Sequence, residues 1–206
     1  MKKSLYIILL IIGVVFLVSC EKENPIITPE EKEVDIALGT EFESIGKEKK
    51  IYLTTAGQAD LDIVQNILES ATSLTEDEGF TKNHELKASD VEVGSVVILV
   101  IGSSSKGLGS AGTNVTNEKI RAEALAEKAV AGDFTLIVVH VGGQGRRGDM
   151  SDPIISAVSP SANLLLVVVT GDQDDLFTNI AKNNHVPLYL FSKSTKMVSA
   201  FETLFS

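Results

Sequence analysis

The chain has 206 residues, 22% of them charged, with 18 basic against 28 acidic side chains and a formal net charge of −10. That balance excludes a nucleic-acid binder that works by neutralising phosphates, and it excludes docking on anionic lipid by charge alone. A hydrophobic share of 44% supports a packed core, and a single cysteine rules out an intramolecular disulfide framework.

Met1-Lys2-Lys3 is a short positive head, and the run 5–18 is apolar, broken only by Gly13. A charged start, an apolar stretch and a small residue before the cut describe an export signal. The run falls short of the ~20 residues that span a bilayer. It ends Leu17-Val18-Ser19-Cys20, which resembles the lipobox of bacterial lipoproteins. The resemblance implies cleavage after residues 1–19, a diacylglycerol on the Cys20 sulfur and an acyl chain such as palmitate on the new amino terminus. The protein is then expected in the cell envelope, held to a membrane by its N-terminal lipid and facing the periplasm or exterior. An ordinary signal peptide with an incidental cysteine is the alternative. Lipidation, however, accounts for the only thiol in the chain, which has no partner for a disulfide. Glu21 follows the cysteine, so the aspartate that retains enteric lipoproteins at the inner membrane is not there.

Residues 20–49 read as the lipidated cysteine and a flexible tether: polar and charged, with Pro25 and Pro29 and no sustained period. A short strand over 34–37 is the one element expected within it. The folded domain is expected over 50–206. Residues 51–54 are the first strand, and 59–72 form a helix presenting Ile63, Val64, Ile67, Leu68 and Ala71 on one face. The stretch 76–89 has room for a further short strand. Residues 95–101, 134–141 and 163–169 are continuous apolar runs rich in β-branched residues, and 186–191 is a weaker fourth. Such runs suit strands buried on both faces, as in parallel sheets. Helices are expected at 117–131, 152–158, 175–183 and 195–205. The alternation predicts a single Rossmann-like, doubly wound α/β domain with a mostly parallel sheet.

Ligands of open parallel sheets bind beyond the carboxyl ends of the strands. The residues there are Thr55 and Gln58, then Ser103, Ser104, Ser105, Lys106 and Gly107, then His140, Gly142, Gly143, Arg146 and Arg147. Glycines let backbone amides approach a ligand, and Lys106, Arg146 and Arg147 supply positive charge in an acidic protein. Arg146 and Arg147 are two of only three arginines in the chain. The pattern points to a small polar or anionic ligand. The alternative has the arginines in surface ion pairs and the glycines in tight turns.

No cofactor is expected. Gly107-Leu108-Gly109-Ser110-Ala111-Gly112 matches Gly-x-Gly-x-x-Gly, but its first glycine lies six residues past Ile101, and a dinucleotide fingerprint starts directly after the strand. Lys106 precedes Gly107, so the phosphate-binding loop is absent as well. His140 is well placed for a general base, yet no metal-binding histidine spacing and no nucleophile elbow accompanies it. Asp172, Asp174 and Asp175 form an acidic turn without a complete calcium-loop pattern. The leading expectation is a binding module. The alternatives are an envelope hydrolase or transferase using His140, and an accessory protein contacting an envelope partner.

The stretches Gly102-Ser-Ser-Ser-Lys-Gly-Leu-Gly-Ser-Ala-Gly112 and His140-Val-Gly-Gly-Gln-Gly-Arg-Arg-Gly-Asp-Met-Ser-Asp152 together resemble a family of uncharacterised bacterial exported proteins. The similarity runs from about Ile51 to the C-terminus. It implies an α/β domain in a cell-envelope setting and carries no activity with it.

Overall fold

The computed structural model describes residues 26–27, 44–45, 48–76 and 78–205. Seven strands form one sheet: β1 (Ile26–Ile27), β2 (Ile51–Ala56), β3 (Phe80–Lys82), β4 (Val96–Ile101), β5 (Thr135–His140), β6 (Leu164–Val168) and β7 (Leu188–Phe191). Their order is β1-β7-β6-β5-β4-β2-β3, and every pairing is parallel. The apolar runs explain this directly. Every residue of β2, β4, β6 and β7 is buried, which only a sheet covered on both faces allows.

Among the described residues six α-helices cover it: α1 (Leu61–Thr72), α2 (Ser105–Ser110), α3 (Val115–Val130), α4 (Asp152–Val158), α5 (Leu176–Asn184) and α6 (Val198–Leu204). Alternate strand residues feed two cores. On one face Ile51, Leu53, Val96, Ile98 and Val100 meet Val64, Leu68, Phe201 and Leu204 of α1 and α6. On the other, Tyr52, Val97, Leu99 and Ile101 meet α3, α4 and α5 through Leu125, Ile155 and Phe177. Each fully buried Val, Leu or Ile contributes roughly 1.5–3 kcal/mol. The expected doubly wound α/β domain is the one found.

Three local expectations change. The apolar face of α1 starts at Leu61, which is buried, while Ile63 is 43% exposed. The glycine-rich segment after β4 folds as α2, with Leu108 buried under it and the Ser104 Oγ capping the Gly107 amide at 2.9 Å. The segment expected as a tether contributes β1, which extends the sheet past β7, and the Ile45 amide donates to the Leu204 carbonyl at 2.8 Å. An unpaired edge strand offers free amides and carbonyls, and two isoleucines are good β-formers to cover it. The strand expected at 34–37 and Cys20, the expected lipid attachment residue, lie outside the described residues.

The strand order sets the site. From β2 the chain steps outward to β3, then crosses back to β4 on the other side. The carboxyl ends of β2 and β4 therefore diverge into loops on opposite faces, the switch point at which open sheets bind ligands.

Candidate ligand-binding site

The turn leaving β2 is held in an unusual shape. Gln58 and Asp60 both take positive φ, 62° and 64°. Thr55, fully buried, donates its hydroxyl to the Ala59 carbonyl at 3.1 Å and braces the turn from within. Glu118 of α3, also buried, accepts from the Gly57 amide at 3.0 Å and from Gln58 Nε2 at 3.1 Å. Arg121, one helical turn on, donates to the same Glu118 oxygen at 2.8 Å and to the Thr55 carbonyl. Two partners thus fix Gln58, since its Nε2 also donates to the His84 carbonyl at 3.2 Å.

Beside Gln58 lies a groove of about 530 Å³ lined by Gln58, Asn83, His84, Glu85, Gly107, Ser110 and Ala111. Its walls come from the exit of β3 and from α2. The close approach of α2 to the β2 turn depends on Gly107. A Cβ there would stand 2.1 Å from the Gln58 carbonyl oxygen.

On the neighbouring loop, Asp60 Oδ1 accepts from Arg146 Nε at 3.1 Å. Asp60 Oδ2 sits against Gly102 and Gly142, where Cβ atoms would come within 2.7 and 2.4 Å of it. The loops after β2, β4 and β5 thus meet on one carboxylate.

Of the residues singled out from sequence, Gln58 and Gly107 line the groove. Thr55 and Ser103 support it from behind: the Ser103 amide donates to Ser151 Oγ and its hydroxyl to the Met150 carbonyl, both at 2.9 Å. Ser105 and Lys106 are exposed on α2. Gly142 and Arg146 surround Asp60.

Arg147 is engaged elsewhere. Its side chain is only 2% exposed. Nε donates to Asp152 Oδ1 at 2.6 Å, the terminal nitrogens reach Asp174 at 3.0 and 2.9 Å, and one of them also reaches the Gly171 carbonyl. Burial pulls its pKa down, but the bonds to Asp152 and Asp174 outweigh that and hold it above the ordinary arginine value. The same guanidinium holds the Asp174 carboxyl below its usual range.

His140 is fully buried. Nδ1 lies 2.8 Å from the Ile101 carbonyl and Nε2 lies 3.1 Å from the Gly143 carbonyl, and the neutral ring, with one N–H, donates to one of the two. Burial pushes its pKa down against the pull of both carbonyls. Neither nitrogen is bonded to a serine or a carboxylate, which is the relay a hydrolytic histidine needs. Asp172 is buried too and caps α5, accepting from the Phe177 amide at 2.7 Å and the Thr178 hydroxyl at 2.6 Å. Burial pushes its carboxyl up. Among the described residues no three His, Cys, Asp or Glu side chains gather as a metal site.

Sequence reasoning missed Asp60, Asn83, His84 as a groove residue, Glu118 and Arg121. Glu118 and Arg121 have the i, i+3 spacing of a surface ion pair, and nothing in that spacing shows they are buried. Asn83 and His84 follow a three-residue strand, too short to show a period.

No curated protein and no solved structure matches the chain. A family model does match, over residues 48–205, which takes in β2 to β7 and the helices between and after them. The chain therefore belongs to the DUF6305 family, a domain of unknown function.

Proposed function

We propose that this chain is a bacterial lipoprotein, exported, cut before Cys20 and held by lipid on that cysteine in the cell envelope. Its α/β domain binds a small polar or anionic ligand at the carboxyl edge of the sheet. The anchor rests on the positive head, the apolar run and the Leu-Val-Ser-Cys ending. A thioether-linked diacylglycerol plus an amide-linked chain supplies the two signals that stable membrane attachment needs. Fractionating cells that make Cys20→Ser tests it: the variant should leave the membrane fraction, and continued membrane partition refutes the anchor.

The observation that carries the ligand-binding half is the groove at the switch point. Its 530 Å³ falls within the roughly 300–1,000 Å³ of small-molecule sites. Its lining offers the side-chain amides of Gln58 and Asn83, the His84 imidazole, the Glu85 carboxylate and the Ser110 hydroxyl beside apolar surface, and Gln58 is pinned by Glu118 and the His84 carbonyl. That is the preorganisation a binding site requires. Denaturing the detergent-purified full chain and analysing the released small molecules by mass spectrometry tests the reading. A polar molecule should accompany the wild type and be lost from Ser110→Trp, whose indole fills the groove. Equal recovery from both, or none from either, refutes it.

A further inference from the structure

The carboxyl edge holds three buried carboxylates, and two of them each gather three donors. Asp172 takes the Phe177 and Thr178 amides and the Thr178 hydroxyl. Glu118 takes the Gly57 amide, Gln58 Nε2 and an Arg121 nitrogen. Asp60 differs. Its side chain is 7% exposed, yet Oδ2 is buried with no hydrogen-bond partner among the described residues. It precedes α1 without capping it. A buried carboxylate oxygen without a donor is costly, and finished folds rarely leave one.

Its neighbour is incomplete in the opposite sense. Arg146 is 37% exposed and only Nε is bonded, to Asp60 Oδ1. Its terminal nitrogens carry donors with no partner among the described residues. One acceptor and a fork of donors are therefore left open side by side, where the loops after β2, β4 and β5 converge.

We infer that Asp60 and Arg146 form a subsite for a small molecule with an anionic group and a hydrogen-bond donor on the adjacent carbon: an α-hydroxy or α-amino carboxylate. The carboxylate takes the terminal nitrogens of Arg146 in a two-pronged contact. The neighbouring hydroxyl or ammonium donates to Asp60 Oδ2. Gly102 and Gly142 lie against that oxygen, with the Arg146 stem beside Gly142, and Gly142 begins the turn that carries Arg146. Drawing Arg146 onto the anion and uncovering Oδ2 are then one motion of that turn. The subsite is separate from the groove, whose lining includes neither residue.

Calorimetric titration of the full chain in detergent tests this with four probes: glycolate, glycine, acetate and ethylammonium. Glycolate or glycine should bind at least about tenfold more tightly than acetate or ethylammonium, the contribution of one charge-assisted hydrogen bond. Which of the two binds more tightly tells hydroxyl from ammonium. Arg146→Gln should lose the binding, and Asp60→Asn should reduce it by about tenfold or more. The exposed Arg146 position keeps the test decisive should Asp60→Asn fail to fold. Acetate binding as tightly as glycolate and glycine, ethylammonium binding alone, or no binding by any probe overturns the subsite. The probes do not depend on the molecule carried by the groove, so failure here leaves the groove reading standing.

Discussion

Replacing Arg147 with methionine separates a structural clasp from a ligand-binding cation. The substitution keeps an unbranched stem beside Phe177, whose ring lies 5.8 Å from the guanidinium carbon, and removes every donor. Three losses follow. The carbonyl of buried Gly171 loses its arginine donor, worth about 1–3 kcal/mol. Asp152 loses a two-pronged partner but is 34% exposed and keeps the Gly148 amide at 2.9 Å, so about 1 kcal/mol is at stake. Asp174 is 62% exposed and rehydrates at a cost under about 1 kcal/mol. The sum is about 3 kcal/mol, and for a domain of this size that lowers the midpoint by about 6–12 °C. A thermal melt of the full chain by circular dichroism reads it. A drop of less than about 2 °C, well below the shift that loss implies, would refute the clasp, most clearly if the variant also lost its co-purifying molecule.

The pH dependence comes from His140, whose pKa is lowered in the folded protein, chiefly by burial. The unfolded chain then binds a proton first as pH falls. The histidine's contribution is complete above the ordinary value of 6.5 and is lost as pH drops through the folded value. Its slope reaches at most about 1.4 kcal/mol per pH unit. Denaturant titrations of His140→Gln below pH 6.5 should show that slope flattened; an unchanged slope assigns it elsewhere. Asp172→Ala strips α5 of the carboxylate that receives its first amides and should cost about 1–2 kcal/mol, read by chemical denaturation; no measurable loss would show that α5 does not need that cap. Gly107→Val drives a side chain into the Gln58 carbonyl and should cost about 1–3 kcal/mol while emptying the groove. A variant that melts with the wild type and retains the ligand contradicts the close approach of α2.

The layers of the fold were legible because a parallel strand writes its burial into consecutive residues. Val96 to Ile101 is apolar at all six positions and buried at all six, and no amphipathic helix reads that way. α2 was not legible, because Ser-Lys-Gly-Leu-Gly-Ser holds two glycines and a single apolar residue, which display no helical face. The spacing of Val64 and Ile67 places Ile63 on the inward face, whereas α1 starts after the left-handed residue Asp60 with Leu61 facing the core.

The site divides in the same way. Strand ends name the loops, so Gln58, Gly107 and Arg146 could be picked out by position. Function within those loops depends on partners far away in the chain. Arg147 and Arg146 are adjacent and chemically identical, and only the placement of Asp152, Asp174 and Asp60 separates the clasped one from the half-exposed one. Glu118 is a charged residue in a charged helix until the fold lays it against the β2 turn.

Hydrogen–deuterium exchange on the detergent-purified full chain, with its ligand stripped and then restored from the released small-molecule fraction, tests ligand binding at the switch point most directly. Ligand binding there should protect the segments that line the groove, around Gln58, Asn83 to Glu85 and Gly107 to Ala111, with little change in the helices on the opposite edge. Protection confined to α5 and α6, or no change anywhere on restoring that fraction, would contradict it.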